Sequence, residues 1–442
     1  MINGLIRKLW GTFESKEESK KFAALSAIFA LIIGVYWLFR PVKDGVFLTM
    51  VGYDYQPKVK ILSMFVVLPL VMIYSKLVDR FPRHKLLYGL SLGYAIATAI
   101  FAFFIFHPTI GIANHHEDPT RILGWAFYLF VESFGSIMVA LFWSFVSDTT
   151  TPESAKRGYP AITLGGQFGG LIGPSVGGLI SDSYGTGFAL LFSAAALVLM
   201  VYAVYLYMGS SLSHTKGYEI EGKAPIEGKP KPGFMEGARL ILTRPYMLGI
   251  FAIVSIYEIV VTILDYHFKV MASDLYKGNA LTSYLSNYAV ATNGIAFLSL
   301  IFGIGTVGRK LGMTKTLLAL PVLVAFAVIA LNVHPMLHVA FIVMIVCKGL
   351  NYALMQPSKE QLYIPTSKDA KYKGKAWIDM FGSRFSKGLG SVITNFKKSL
   401  SAEMFMWFTM FTSFGLIGVW VFAACFVAKT HGKAVKDNSV IC

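Results

Sequence analysis

The stretch "GSSLSHTKGYEIEGKAPIEGKPKPGFMEGARLILTRP", residues 209–245, is the longest polar run in a 442-residue chain that is otherwise strongly apolar. It is rich in glycine, proline and lysine, a composition that reads as a linker. On both sides the pattern changes to runs of about 20 apolar residues, the length that crosses a hydrocarbon core of roughly 30 Å. Six such runs precede the linker, at 22–39, 61–78, 86–106, 123–147, 159–181 and 187–208. Six follow it, at 246–269, 284–306, 316–333, 337–358, 376–396 and 403–428. With 55% hydrophobic and 14% charged residues and a mean hydropathy of +0.59, a soluble globular chain is excluded. The expected architecture is an all-α polytopic membrane protein of twelve transmembrane helices. Its parts are an interfacial helix (1–21), a six-helix bundle (22–208), a cytoplasmic linker (209–245), a second six-helix bundle (246–428) and a cytoplasmic tail (429–442).

The net charge of +16 would suit a nucleic-acid binder, but in a membrane protein its distribution decides. If both termini are cytoplasmic, 27 of the 40 Lys and Arg residues lie on the segments facing that side. This is the positive-inside pattern; it sets the expected topology and leaves no basis for nucleic-acid binding. Ahead of the first span, Ile2, Leu5, Ile6, Leu9, Trp10 and Phe13 recur at helical spacing, with Arg7, Lys8 and Lys16 on the flanks. That is the pattern of a helix lying in the membrane interface. Cys347, Cys425 and Cys442 have no pairing or ligand spacing, so no disulfide, metal or cofactor is expected.

The two halves echo one another. "GGQFGGLIG" (165–173) in the fifth span lies at the rank of "GSRFSKGLG" (382–390) in the eleventh, and "VYWLFRPVKD" (35–44) can be laid on "IYEIVVTILD" (256–265). Two related six-helix bundles are the plan of major-facilitator-type transporters, in which substrate binds at midplane between the halves. The turns "DRFPRHK" (79–85) and "GRKLGMTK" (308–315) resemble the cytoplasmic gating loops of such carriers.

Ionisable residues inside spans are costly, about 2.5–3.5 kcal/mol on insertion scales, so each is a candidate site. Pro41, with Arg40, Lys43 and Asp44, is expected to break the first helix and aim Lys43 into a cavity. Glu132 lies deep in the fourth span and Lys348 in the middle of the tenth, near the position equivalent to Glu132 under the repeat; the two are candidates for a gate pair. Glu258 and Asp265 lie two turns apart on the seventh span, where one of them can neutralise Lys269. In the fifth span Gly165, Gly169, Gly173 and Gly177 recur every four residues, as do Gly382, Ser386 and Gly390 in the eleventh, the spacing of close helix packing. Packing does not account for Arg384 and Lys387, one helical turn apart. Two cations on thin, glycine-lined backbone call for an anion, with phosphate the obvious class. On this reading bulk at Gly388 or Gly390 would obstruct substrate or helix approach. Tyr36, Trp37, Phe168 and Phe385 could supply a stacking face for a base.

"RPVKD" (40–44), the Glu132–Trp143 block "ESFGSIMVALFW", "QPSKEQLYIP" (356–365) and "KYKGKAWIDMFGSRFSKGLGS" (371–391) together resemble the nucleotide transporter family, the ATP/ADP translocases of plastids and obligate intracellular bacteria. The resemblance spans nearly the whole chain. It implies four charged positions important for transport: a lysine after the first span (Lys43), a glutamate in the fourth (Glu132), an acid in the seventh and a lysine in the eleventh (Lys387). For the seventh-span acid, the following Phe268-Lys269 selects Asp265, whereas residue type selects Glu258. Gln356 departs from the family's aspartate. The implied function is exchange of ATP for ADP, or of other nucleotides, by alternating access, with Lys43 and Lys387 holding the polyphosphate and Arg384 assisting. The expected setting is a monomer in the lipid bilayer of a bacterial inner membrane, since no transit peptide is visible. The alternatives are a proton-coupled nucleotide importer, in which Glu132, Glu258 or Asp265 titrates, a membrane-embedded enzyme acting on a phosphorylated or lipid substrate, and a non-transporting receptor. The enzyme would need a catalytic cluster of His, Ser or carboxylates, and the sequence offers none.

Overall fold

The computed structural model describes residues 13, 15–210, 234–301, 312–367, 370, 374–437 and 439–441. The expected interfacial helix therefore lies largely outside the described residues, as do most of the linker and residues 308–311 of the second basic turn. Among the described residues fourteen α-helices of seven or more residues carry the fold. They are α1 (Lys16–Met50), α2 (Gln56–Arg80), α3 (Arg83–Phe106), α4 (Ile122–Asp148), α5 (Pro152–Ser183), α6 (Thr186–Gly209), α7 (Phe234–Thr243), α8 (Pro245–Leu275), α9 (Gly278–Ile301), α10 (Met313–Val333), α11 (Leu337–Leu350), α12 (Gln356–Leu362), α13 (Ser383–Asn395) and α14 (Ala402–Lys436). Among the described residues eight helices, α1–α4, α6, α8, α10 and α14, are long and apolar enough to cross a membrane. The other four expected spans fall on α5, α9, α11 with α12, and α13. Glycine and charge dilute the apolar character of α5 and α13, and α11 runs for 14 residues before a wider turn.

The first span corrects one expectation. Ser15 caps α1 by accepting a hydrogen bond from the Glu18 N–H at 3.0 Å, and Glu17 and Glu18 occupy the positive end of the helix dipole. The helix does not stop at residue 39. It runs through Pro41 to Met50, 35 residues in all, or roughly 50 Å at 1.5 Å per residue. Proline removes one N–H from the ladder but tolerates helical φ. Phe39, Val42, Val46 and Phe47 around it are fully buried, so packing outweighs the missing bond. The chain leaves α1 at Gly52, whose φ of 95° lies in the region where only glycine is unstrained.

The described chain forms two compact units, the first within Met1–Gly52, Phe65–Pro225 and Leu275–Asn293, the second within Tyr53–Met64, Ile226–Asp274 and Gly294–Cys442. Two short segments are thus grouped with the opposite half of the sequence. Tyr53–Met64 is held in the second unit by Lys60, which pairs with Asp265 at 3.4 Å, and by Tyr55, whose ring centroid lies 3.8 Å from the Lys398 ammonium. Leu275–Asn293 is held in the first. There Lys277 pairs with Glu117, the Gly278 N–H donates to Thr49 Oγ1 at 3.0 Å, and the Thr186 N–H donates to Asn279 Oδ1 at 3.0 Å.

Within the first unit, α5 lies directly on α1. A Cβ at Gly165, Gly169 or Gly173 would collide with the hydroxyl of Ser26, the carbonyl of Ala30 or the carbonyl of Gly34 respectively, and one at Gly177 would come within 2.7 Å of Leu38. Two rows at four-residue spacing therefore mesh backbone to backbone, the small-residue packing that lipid-embedded helices depend on. The second unit repeats the device between α13 and α8. A Cβ at Gly390 would lie 2.9 Å from the Ile259 carbonyl, one at Gly382 would lie 2.9 Å from the Phe251 ring, and Ser386 is fully buried. Gly390 thus packs as Gly173 does, and of the two expectations for bulk there it is helix approach that its surroundings would obstruct. At Gly388 a Cβ would meet only Met64 Sδ at 3.5 Å, an ordinary contact.

Gly173→Leu and Gly390→Leu should each depress the thermal midpoint of the purified protein or abolish its monodisperse peak. Gly93→Ala, where nothing lies within 4 Å, should leave the midpoint unchanged or raise stability by roughly 0.5–1 kcal/mol, the helical advantage of Ala over Gly. Equal midpoints for Gly173→Leu and Gly93→Ala would show that the stripe carries no packing role.

Candidate functional site: paired charges within the spans

The continuation of α1 past Pro41 carries Lys43 into the interior of the first unit, where it is only 4% exposed. Its ammonium donates to Glu132 Oε1 on α4 at 2.6 Å, lies 4.1 Å from the Tyr128 ring centroid and stands 4.0 Å from Asp44 Oδ1. Tyr128 and Glu132 are four residues apart on one face of α4, so a single ammonium meets a ring face and a carboxylate together. The lysine side chain is 5% exposed and that of Glu132 29%, so the carboxylate is the more accessible member of the pair. One turn earlier, the Arg40 guanidinium lies 4.8 Å from the Trp37 ring centroid and 5.6 Å from that of Tyr36.

In the second unit the two acids of α8 serve different partners. Asp265 receives Lys269, four residues on, at 2.8 Å, Lys348 of α11 at 2.9 Å and Lys60 at 3.4 Å. Glu258 accepts from the Ser383 hydroxyl at 3.0 Å and lies 3.7 Å from the Lys387 ammonium, both on α13. Lys387 is half exposed, and Arg384, between Ser383 and Lys387 in sequence, is half-buried. Each cationic element adjoins a widened turn. The Gln356 N–H reaches back five residues to the Asn351 carbonyl just after α11, and the Ser383 N–H reaches the Ile378 carbonyl just before α13. Such turns recur at functional sites because they re-aim the side chains that follow.

Taken separately, the two units share a plan. In the first, α1 and α4 are joined by an ion pair with the cation on the earlier helix. In the second, α8 and α11 are joined by one with the carboxylate on the earlier helix. The sequence marks Lys43, Glu132, Glu258, Asp265, Lys348, Arg384 and Lys387. The structure groups Lys43 with Glu132, Lys348 with Asp265, and Lys387 with Glu258. Lys60 and the ring of Tyr128 carried no sequence signal, because their partners are 205 and 85 positions away in the chain. Lys269 was detectable from its four-residue spacing to Asp265. Among the described residues no group of three or more His, Cys, Asp or Glu is placed to hold a metal.

The sequence profile described as TLC ATP/ADP transporter matches residues 2–431. ADP,ATP carrier protein 1 of Chlamydia muridarum (strain MoPn / Nigg) is 26% identical, over 85% of this chain and 81% of its own length. ADP,ATP carrier protein 4 of Rickettsia bellii (strain RML369-C) is 26% identical over 98% and 95%. The chloroplastic ADP,ATP carrier protein 1 of Arabidopsis thaliana is 26% identical over 85% and 68%. Among solved structures, a bacterial homologue of the human lysosomal transporter Spinster superposes with a TM-score of 0.61 at 15% identity, covering 95% of this chain and 99% of that one. The nucleoside transporter NupG does so with 0.61 at 12% identity, covering 92% and 98%. At these identities the likeness is one of fold, and both folds are those of transporters.

Asp265→Asn should be the most destabilising of the charge substitutions, because it leaves three ammoniums facing one another. Breaking a buried pair costs about 3–5 kcal/mol. Glu258→Gln should cost far less, since its cation is half exposed. Thermal midpoints of the two purified variants in the same detergent test this, and a Glu258→Gln midpoint at or below that of Asp265→Asn would refute it.

Proposed function

The chain belongs to the TLC ATP/ADP transporter family and is a multi-pass membrane carrier, not an enzyme, and we propose that it exchanges ATP for ADP across its membrane by alternating access. The observation that carries this reading is the family match over residues 2–431, with charge pairs on the spans where the family resemblance implies functional charges. Lys387 and Lys43 bind the phosphate chain and Arg384 assists. Glu258 and Glu132 hold the two lysines when substrate is absent, and Asp265 with Lys348 forms the corresponding pair of the second unit. Lys387 is best suited to first contact, being half exposed and 3.7 Å from its carboxylate, a distance that leaves the ion pair loose enough to exchange for phosphate oxygens. Lys43, at 2.6 Å from Glu132, is held tightly and has to be released. The protein acts as a monomer in a bacterial cytoplasmic membrane, with both termini in the cytoplasm, the orientation that the loop distribution of lysine and arginine supports.

ATP carries one more negative charge than ADP, so one-for-one exchange moves charge. A membrane potential then biases it by about 2.3 kcal/mol per 100 mV, favouring exit of ATP from the negative side. A proton-coupled importer would instead gain net nucleotide on a pH gradient.

The test is uptake of labelled ATP into proteoliposomes preloaded with one unlabelled nucleotide at a time. Preloaded ADP should stimulate uptake and empty vesicles should take up little. Accumulation in empty vesicles driven by a pH gradient would reverse the assignment. Glu132→Gln should impair this counterflow at every pH. Lys387→Gln should fold normally yet bind ATP about tenfold or more weakly, the loss of one charge-assisted hydrogen bond worth roughly 1.5–3 kcal/mol. Wild-type ATP affinity in Lys387→Gln would remove that lysine from the site.

A further inference from the structure

The positive-inside pattern leaves few lysines on the side of the membrane opposite the termini, yet some of those few converge. Tyr53–Met64 follows the first span, and the short turn Phe396–Ser399 follows the eleventh. In the orientation proposed above both lie at extracytoplasmic ends, and both belong to the second unit. There the Lys398 ammonium stands 3.8 Å from the Tyr55 ring centroid and the Lys58 ammonium 5.1 Å from the same ring. Lys58 and Lys398 are exposed, and Lys397 beside them is half-buried. Among the described residues none of these three lysines has a carboxylate within ion-pair distance. Asp54 and Glu403, the acids nearest to them in sequence, pair with none of them.

The kind of partner matters. A carboxylate cancels the charge of a lysine, as it does for Lys43 and Lys387. An aromatic face holds an ammonium through the ring quadrupole and leaves its charge acting outward. That hold is also weaker than a charge-assisted hydrogen bond, so the ammonium can leave the ring for a phosphate oxygen. Two ammoniums gathered on one ring are close enough for a single polyphosphate chain to meet both.

We propose that Lys58 and Lys398, gathered on the Tyr55 ring, form a capture site for the polyphosphate of a nucleotide arriving from the extracytoplasmic side, with Lys397 assisting. This rests on the exchange function proposed above and adds a station ahead of the ion-paired lysines. The patch continues inward within the same unit. Lys397 lies 5.8 Å from the Phe405 ring centroid, that ring lies 5.2 Å from the His267 ring on α8, and Lys60, two residues after Lys58, pairs with Asp265 at 3.4 Å. Such continuity favours a solute that moves on over a lipid headgroup, which would stay at the interface. Exposed charge of this kind acts on the rate of encounter more than on the strength of the final complex, and salt screens it. ATP, with one more negative charge than ADP, should be drawn more strongly.

The experiment measures initial uptake of labelled ATP and ADP, below saturation, by intact bacterial cells expressing the full-length carrier, where external nucleotide meets only the outer face of the membrane. Ionic strength is set at about 0.01 M or about 0.3 M, giving screening lengths of about 30 Å and under 10 Å. The double substitution Lys58→Gln with Lys398→Gln should slow ATP uptake about threefold or more in low salt, slow ADP uptake less, and match the wild type in high salt. Lys58→Arg with Lys398→Arg should keep the wild-type salt dependence, because long-range attraction needs the charge and not its shape. If the double variant does not reach the membrane, Lys398→Gln alone carries the test, with a smaller shift of the same sign. No slowing, or equal slowing at both ionic strengths, would overturn the inference. A defect seen in proteoliposomes containing phosphatidylglycerol but absent from those of pure phosphatidylcholine would assign the patch to lipid headgroups and overturn it as well. A wild type that takes up no ATP against internal ADP would instead bring down the exchange function itself, a result that does not depend on the variants.

Discussion

A charge inside a bilayer-spanning helix must find its counter-charge on another helix, and this requirement organises each unit. Lys43 on α1 reaches Glu132 on α4 at 2.6 Å, and Asp265 on α8 reaches Lys348 on α11 at 2.9 Å. Removing either member of a buried pair leaves an uncompensated charge, which costs far more than the intact pair contributes. The pairs therefore fix which helices can be neighbours more strongly than they add to net stability. They also explain why α1 continues through Pro41: a helix ending at residue 39 would leave Lys43 without the Glu132 and Tyr128 that it meets two residues beyond the proline.

The glycine rows solve a complementary problem. Between lipid-embedded helices there is little hydrophobic driving force, so association relies on close van der Waals approach. Gly165, Gly169, Gly173 and Gly177 let α5 lie against the backbone of α1, and Gly382, Ser386 and Gly390 let α13 lie against α8. In both units a helix that carries a charge within its span is thereby held by a neighbour with almost no side chain between them. Such contacts have little room to deform, which keeps Lys43 and Glu258 in register with their partners. On α13 Lys387 follows directly on Ser386 of that row and stays half exposed, 3.7 Å from Glu258 on α8.

A carrier must bind its substrate without trapping it. In the proposed exchange, carboxylates stand in for phosphate between transport events, so each lysine trades one anion for another instead of losing a counter-charge outright. The half-exposed Lys387 and the sealed Lys43 then represent a loose and a tight version of that trade. Affinity is thereby set by the difference between an internal carboxylate and a phosphate, which is smaller than the full worth of either ion pair. That difference suits a carrier that must release what it binds.

Much of this was legible in the sequence. Hydrophobic runs of about 20 residues, a polar linker at 209–245 and the loop distribution of lysine and arginine are consequences of bilayer thickness and surface charge, which act on local sequence alone. The rarity of ions within spans made Lys43, Glu132, Glu258, Asp265, Lys348, Arg384 and Lys387 conspicuous for the same reason. Partner choice was not legible. Whether Glu132 answers Lys43 or another cation, whether Gly390 faces an anion or the Ile259 carbonyl, and whether α1 ends at Pro41 all depend on contacts between residues far apart in the chain. The arrival of Lys60 at Asp265, 205 positions away, has no local signature of any kind. Composition determined that these charges need partners, because desolvation is a property of each group by itself. Only the tertiary structure decided which partners they have, because pairing depends on distances of a few ångströms that exist only once the helices have packed.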